Sequence, residues 1–182
     1  MILRFAAAAV ILTAVSLTAT ACTGVPKNIT PVQNFESERY LGKWYEVVRL
    51  DHSFERGLSH VTAEYTRLPD GRIGVLNQGW NAEKGEWKTA DGKASFRGAE
   101  DVGSLKVTFQ WPFSGGYHVF ALDPEYQWAM ISGPTREFFW ILSRTPTMDQ
   151  AVLDKLVAQA KAAGFNTSEF IYVQQLPPIE EK

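Results

Sequence analysis

Thiol and imidazole groups able to do nucleophilic or metal chemistry are few: Cys22, His52, His60 and His118 are the only cysteine and histidines in 182 residues. A tetrahedral zinc site draws several such ligands together, yet the chain has neither an H-E-x-x-H pair nor a cysteine–histidine cluster. No G-x-S-x-G elbow presents a serine, and Gly71-Arg72-Ile73-Gly74 reads as turn and strand, without a phosphate-loop lysine or a following helix. The chain is therefore expected to have no catalytic residue, no metal and no cofactor. Its three histidines are expected at the surface or at a rim.

Aromatic and cationic side chains offer a different chemistry, that of recognition and closure. In Tyr40-Leu41-Gly42-Lys43-Trp44-Tyr45-Glu46-Val47-Val48-Arg49, Gly42 lets the chain enter a strand at a sharp angle. Trp44, Glu46 and Val48 then share one face of that strand. About a hundred residues later, Trp140, Leu142 and Arg144 share a face of Phe138-Phe139-Trp140-Ile141-Leu142-Ser143-Arg144. If the first and last strands meet, the Arg144 guanidinium lies over the Trp44 indole, a contact worth about 0.5 to 2 kcal/mol. Gly42, Trp44 and Arg144 are thus expected to close one end of a barrel. Glu46 would point inward near that floor, either satisfied by backbone or Arg144, or facing a ligand and repelling its carboxylate.

The elements that must position these groups are strands. Val61, Ala63 and Tyr65 alternate along one segment, Ile73, Val75, Asn77 and Gly79 along the next, with Pro69-Asp70-Gly71 as a hairpin turn between them. Trp87 to Gly98 is a longer, more polar segment. Leu105, Val107, Phe109 and Trp111 give the cleanest period of two in the chain, and Pro112 to Gly116 turns it back toward Tyr117, Val119 and Ala121. Ala129 and Ile131 follow, then Trp140 and Leu142. This reading yields an all-β domain: eight strands in up-and-down antiparallel order, closed into a barrel with room for one small ligand. One helix, Met148 to Ala163, carries the apolar stripe Val152, Leu153, Leu156, Val157 and Ala160 and packs outside; Glu169 to Gln174 adds a short final strand.

Met1 to Ala21 combines a basic residue, an apolar run from Phe5 to Leu17 and small residues before Cys22, which reads as a lipoprotein signal peptide with Cys22 acylated. The run is short for a membrane span. Residues 22–34 are read as the lipidated N-terminus and tether, 35–176 as the folded domain and 177–182 as a C-terminal tail. A formal net charge of −2 with interspersed signs argues against nucleic acid as a partner. A single cysteine leaves no internal disulfide, so packing and hydrogen bonds must hold the barrel.

Gly42-Lys43-Trp44-Tyr45 resembles the G-x-W signature of the lipocalins, and Arg144 is similar to the arginine that family keeps near the end of its last barrel strand. Leu122-Asp123 before Tyr126 resembles the middle lipocalin motif, T-D-Y, with leucine for threonine and two residues between Asp123 and Tyr126. The likeness runs from about Phe35 to Gln175 and is greatest to bacterial lipocalins, outer-membrane lipoproteins related to apolipoprotein D. It implies the lipocalin barrel, and a place at the periplasmic face of the outer membrane, held through Cys22. It also implies a lining that includes Val48, Val61, Ala63, Val75, Ala94, Leu105, Ala121, Ala129 and Ile131. The ligand-binding residues it implies are Tyr65, Asn77, Phe96, Val107, Phe109, Tyr117, Val119 and Trp140.

Such a lining suits an acyl chain. Burying about 14 to 16 methylenes at about 0.8 kcal/mol each contributes roughly 11 to 13 kcal/mol before ordering and association entropy. The expected partners are a fatty acid such as palmitate or a lysophospholipid, bound for storage, transport or membrane maintenance, and the membrane itself. In the loop after the first strand, Phe54 and Leu58 are expected to fold over the opening, with Arg56 near an anionic head or simply solvated. Two other classes stay open: a barrel enzyme acting on a lipophilic substrate, and a membrane-anchored assembly or docking protein that forms a homodimer through its mouth or open edge.

Overall fold

A computed structural model describes residues 23–110 and 112–175; Cys22, the leader, Trp111 and the C-terminal tail lie outside the described residues. Eight strands follow one another: β1 Gly42–Arg49, β2 Leu58–Arg67, β3 Ile73–Asn81, β4 Glu86–Phe96, β5 Ser104–Gln110, β6 Phe113–Leu122, β7 Trp128–Ser132 and β8 Phe139–Ser143. Each pairs antiparallel with the next, and β1 pairs with both β8 and β2, so the sheet closes on itself. A two-residue β9, Ile171–Tyr172, adds to β1 at Val48 and Arg49. The expected eight-stranded antiparallel barrel is the observed fold.

Two hydrophobic clusters share the barrel wall. Inside lie Trp44, Tyr65, Ile73, Val75, Ala94, Leu105, Val107, Val119, Ala129, Ile131 and Leu142, with Phe35 and Tyr40 pushed in from one end. Outside, Val48, Ala121, Met130, Phe139 and Ile141 pack against the helix α2, Gln150–Ala162, through Leu153, Leu156 and Ala160. The Asp149 carboxylate caps α2 by accepting from the amides of Ala151 and Val152 at 2.9 and 3.2 Å. Gly164, at φ +88°, ends it in the left-handed region that glycine enters without strain. The helix is thus shorter at its start than the sequence reading, because the cap falls at Asp149.

Two expected lining residues point the other way. Glu46 pairs with Leu142 but Val48 with Ile141, so β1 carries one extra residue, and past that bulge the alternation reverses. Val48 therefore faces out and Arg49 faces in. Likewise Val119 pairs with Ile131 but Ala121 with Met130, which turns Ala121 outward and returns Leu122 to the interior.

Residues 23–34, read from sequence as a tether, run along the barrel wall. Val32 donates its amide to Val119 O at 2.8 Å and accepts from the Gly103 amide at 2.9 Å, while Phe35 donates to Asp101 O. Ile29 is buried in the outer cluster beside Phe139, Ala160 and Phe165. Among the described residues, no helix is long and apolar enough to cross a membrane.

Candidate functional site

The end of the barrel where β1 begins is shut. A turn of helix, α1 Ser37–Tyr40, crosses it and delivers Tyr40 to the interior, and Gly42 at φ +90° redirects the chain into β1. The Arg144 guanidinium carbon lies 3.9 Å from the Trp44 ring centroid, as the spacing of the two residues suggested. Its nitrogens also donate to three carbonyls: Arg39 O at 2.7 Å, Lys43 O at 3.0 Å and Tyr126 O at 3.3 Å. The Trp44 indole N–H donates to Tyr40 O at 2.8 Å. One cation thus ties α1, β1 and the β6–β7 turn, segments distant in sequence.

Above this floor lies a layer of three phenols. The Tyr65 hydroxyl donates to the Tyr117 hydroxyl at 2.9 Å, and that oxygen stands 2.6 Å from the Tyr40 hydroxyl. Burial holds the pKa of all three above the ordinary phenol value, so the layer is neutral and its polar atoms satisfy one another. Below it, Phe35, Ile73, Ala94, Leu105 and Val107 leave an enclosed volume of only about 10 Å³, the space of a single water. The lower half of the barrel is therefore packed core.

The upper half differs. The transverse row Ala63, Asn77 and Ala90, formed by register partners on β2, β3 and β4, faces inward with partly or fully accessible side chains. Further around the interior, Gly92, Phe109, Gly115, Tyr117 and Trp140 retain accessible surface, whereas the residues beneath them are buried. The less buried inner-facing residues thus collect toward the end where β1 finishes. Alanine and glycine on three strands make these inner positions small, and the Asn77 Oδ1 among them is buried without a protein partner.

The structure divides the expected ligand residues accordingly. Asn77, Phe109, Tyr117 and Trp140 lie in this upper half, Phe109 lying over Gly92 so closely that a Cβ there would come within 2.8 Å of the ring. Tyr65, Phe96, Val107 and Val119 belong to the packed lower half, with Val119 fully buried.

Polar residues that sequence reasoning placed elsewhere surround the mouth. Arg49, turned inward by the bulge, donates to Glu46 Oε1 at 2.7 Å and to the carbonyls of Glu55 and Leu58 at 3.1 Å each. Glu46 is thus satisfied by Arg49, and not by the backbone or Arg144 that the sequence suggests. The Trp140 indole N–H donates to the buried Glu55 carboxylate at 3.0 Å. Burial, then the neighbouring Glu55, push the Glu46 carboxyl well up against the pull of Arg49; burial also raises Glu55. His52 is a second correction: it is buried, stacked between Phe54 and Phe138, and 4.5 Å from Trp140, and burial pushes its pKa down to about 4. His118 is buried as well, on the outer face of β6 beneath the N-terminal strap. Arg56 is held by Asp51 in a two-pronged ion pair, its Nη2 at 2.6 Å and Nε at 2.9 Å from Oδ2. Among the described residues, no group of three His, Cys, Asp or Glu side chains is placed to hold a metal ion.

Comparison with known proteins agrees with this geometry. Residues 35–175 match the family model of the lipocalin-like domain. The chain is 57% identical over 155 residues to the outer membrane lipoprotein Blc of Vibrio cholerae, covering 85% of this chain and 91% of that protein. Identity to the outer membrane lipoprotein Blc of Escherichia coli strain K12 is 51% over 150 residues, 82% and 85% of the two chains. Bovine apolipoprotein D is 34% identical over 125 residues, 64% of this chain and 65% of its own. Among solved structures, insecticyanin of the tobacco hornworm Manduca sexta superposes with a TM-score of 0.66 at 19% identity, covering 86% of this chain and 88% of that one, a likeness of fold.

Proposed function

The chain belongs to the lipocalin family, and from that premise we propose that it is a lipid-anchored protein of the bacterial outer membrane that holds one long-chain amphiphile in the upper half of its barrel. A lipocalin is a binding protein and not an enzyme. Its work is equilibrium partitioning: no bond is made or broken. The observation that carries the reading is the accessibility gradient inside the barrel, where small inner residues above the tyrosine layer leave a cup and large ones below it leave core.

The ligand class follows from the walls. From Phe113 to Tyr117 the upper wall runs about 13 Å at roughly 3.3 Å per residue, enough to cover the tail end of a long acyl chain while its remainder and head lie at the rim. Ala63, Ala90, Phe109, Tyr117 and Trp140 contact the chain, with Asn77 among them. Inside the mouth, Arg49 is already committed to Glu46 Oε1 and to the carbonyls of Glu55 and Leu58, so a carboxylate or phosphate head finds its place at the rim and not at depth. Fatty acids and lysophospholipids satisfy these terms, and Cys22 acylation supplies the anchor: one acyl chain binds a membrane marginally, several bind it stably.

Native mass spectrometry of protein purified from membranes tests both halves. The reading expects an N-terminal mass increment on Cys22 and one additional, displaceable amphiphile per barrel. An unmodified N-terminus, or a chain that never carries or takes up lipid, would contradict it.

A further inference from the structure

The large apolar side chains exposed on the described surface are Phe54, Trp87, Phe109, Phe113 and Tyr172. The first four come from four different segments, yet all stand at the open end of the barrel: Phe54 in the β1–β2 loop, Trp87 at the start of β4, Phe109 at the end of β5 and Phe113 at the start of β6. Phe113 is 73% and Phe54 58% exposed, where a soluble surface gains nothing from them. Both ends carry ion pairs, Arg56 with Asp51 at the mouth and Arg67 with Glu38 and Arg39 with Glu125 at the shut end, but the four exposed aromatics are confined to the mouth.

The N-terminal strap decides what covers that rim. Its course up the outer wall ends with Thr23 O against Gly116, where a Cβ would come within 3.0 Å of it. His118 Nε2 holds Gly24 O at 2.9 Å, Arg136 donates to Lys27 O at 2.5 Å, and Pro26 and Ile29 are buried. Cys22 is one residue, about 3.8 Å, beyond the last pinned position. Gly116 is three residues from Phe113 at the mouth and six from Leu122 at the shut end, about 10 Å against about 20 Å along β6. Of the two ends of the barrel, the mouth is therefore the nearer to the residue that carries the acyl chains.

We propose that the anchored barrel docks mouth-first, with Phe54, Trp87, Phe109 and Phe113 seated in the interfacial layer of the lipid leaflet that holds Cys22. Aromatic side chains favour that layer. The cup then opens into the leaflet, so an amphiphile passes between membrane and barrel without crossing water. The proposal rests on the reading of Cys22 as lipid-anchored and adds to it an orientation.

The test uses the lipidated full chain in vesicles of phosphatidylethanolamine with a minority of phosphatidylglycerol. With the Cys22 thiol blocked by its lipid, a nitroxide is attached at Ser53→Cys beside the rim or at Glu100→Cys in the β4–β5 connection at the shut end. Expected is a severalfold rise in the ratio of oxygen to aqueous nickel-chelate collisions for the rim label on vesicle binding, with no change at Glu100→Cys. Replacing Phe54→Ser and Phe113→Ser together should return the rim label to water while the protein still floats with the vesicles. Rim and floor labels equally aqueous in floating protein would overturn the orientation, as would a rim label whose shielding varies with the protein-to-lipid ratio, which marks a second copy as the occupant. Protein that does not float overturns it through the anchor. Fatty-acid titration of the same labelled protein reads the cup independently, so orientation and ligand binding fail separately.

Discussion

At the scale of single residues, Arg144 does two kinds of work, facing the Trp44 ring and donating to three carbonyls. Arg144→Ala removes a cation–π contact of about 0.5 to 2 kcal/mol and charge-assisted hydrogen bonds of similar size, so the urea midpoint should fall by an equivalent of about 3 kcal/mol. Arg144→Lys should recover little of it, because a single ammonium cannot reach three carbonyls on separate segments. Wild-type stability in the lysine variant would show that charge alone suffices. His52 makes a prediction in pH. Its folded pKa of about 4 lies below the unfolded value near 6.5, so the unfolded chain binds more protons between the two. Its contribution is fully present above pH 6.5 and is lost as pH falls toward 4. Denaturation of His52→Phe at several pH values should show a shallower acid loss than wild type; an unchanged slope would remove His52 as its source. The pairing of Trp44 with Arg144 was legible because alternation sets the facing of the first and last strands and places the two at the same end of the barrel. Arg49 was not, since an arginine at a strand end reads as a solvated charge until the bulge turns it inward.

At the scale of elements, alternation located all eight strands, though Phe113–Gly116 read as a turn where β6 already runs, and it went astray where a strand holds one residue too many. Val47–Val48 and Phe120–Ala121 carry no glycine or proline to mark the extra residue, so Val48 and Ala121 read as lining and are instead the seat of α2. The strap escaped sequence reading for a related reason: Pro26 and Pro31 and few apolar residues look like a spacer, and only Ile29 hints at burial. Its hydrogen bonds to Val119 and Gly103 make it part of the wall. Ile29→Ala should therefore destabilise the whole barrel by about 2 to 3 kcal/mol, as a buried aliphatic truncation does. It should also speed hydrogen exchange at the Val32 amide. An unchanged melting profile would return residues 23–34 to the role of tether.

At the scale of the whole molecule, the barrel is two half-structures stacked on one axis. The lower half spends large residues on a sealed core around Trp44, Tyr65 and Ile131, which gives stability without a disulfide. The upper half places alanine and glycine where such residues would go and lines the space with Asn77, Phe109, Tyr117 and Trp140. The sequence made the family resemblance plain but not the level at which core gives way to cup, because that boundary depends on which inner residues meet across the barrel. The most direct test of the cup is a fluorescent fatty-acid titration of acyl-free wild type beside Ala90→Trp, whose indole would project into the upper half from an accessible inner position. Wild type should bind saturably at one site, and the variant should lose more than about tenfold, about 1.4 kcal/mol, with the urea midpoint unchanged. Equal affinity in the two proteins would contradict the cup.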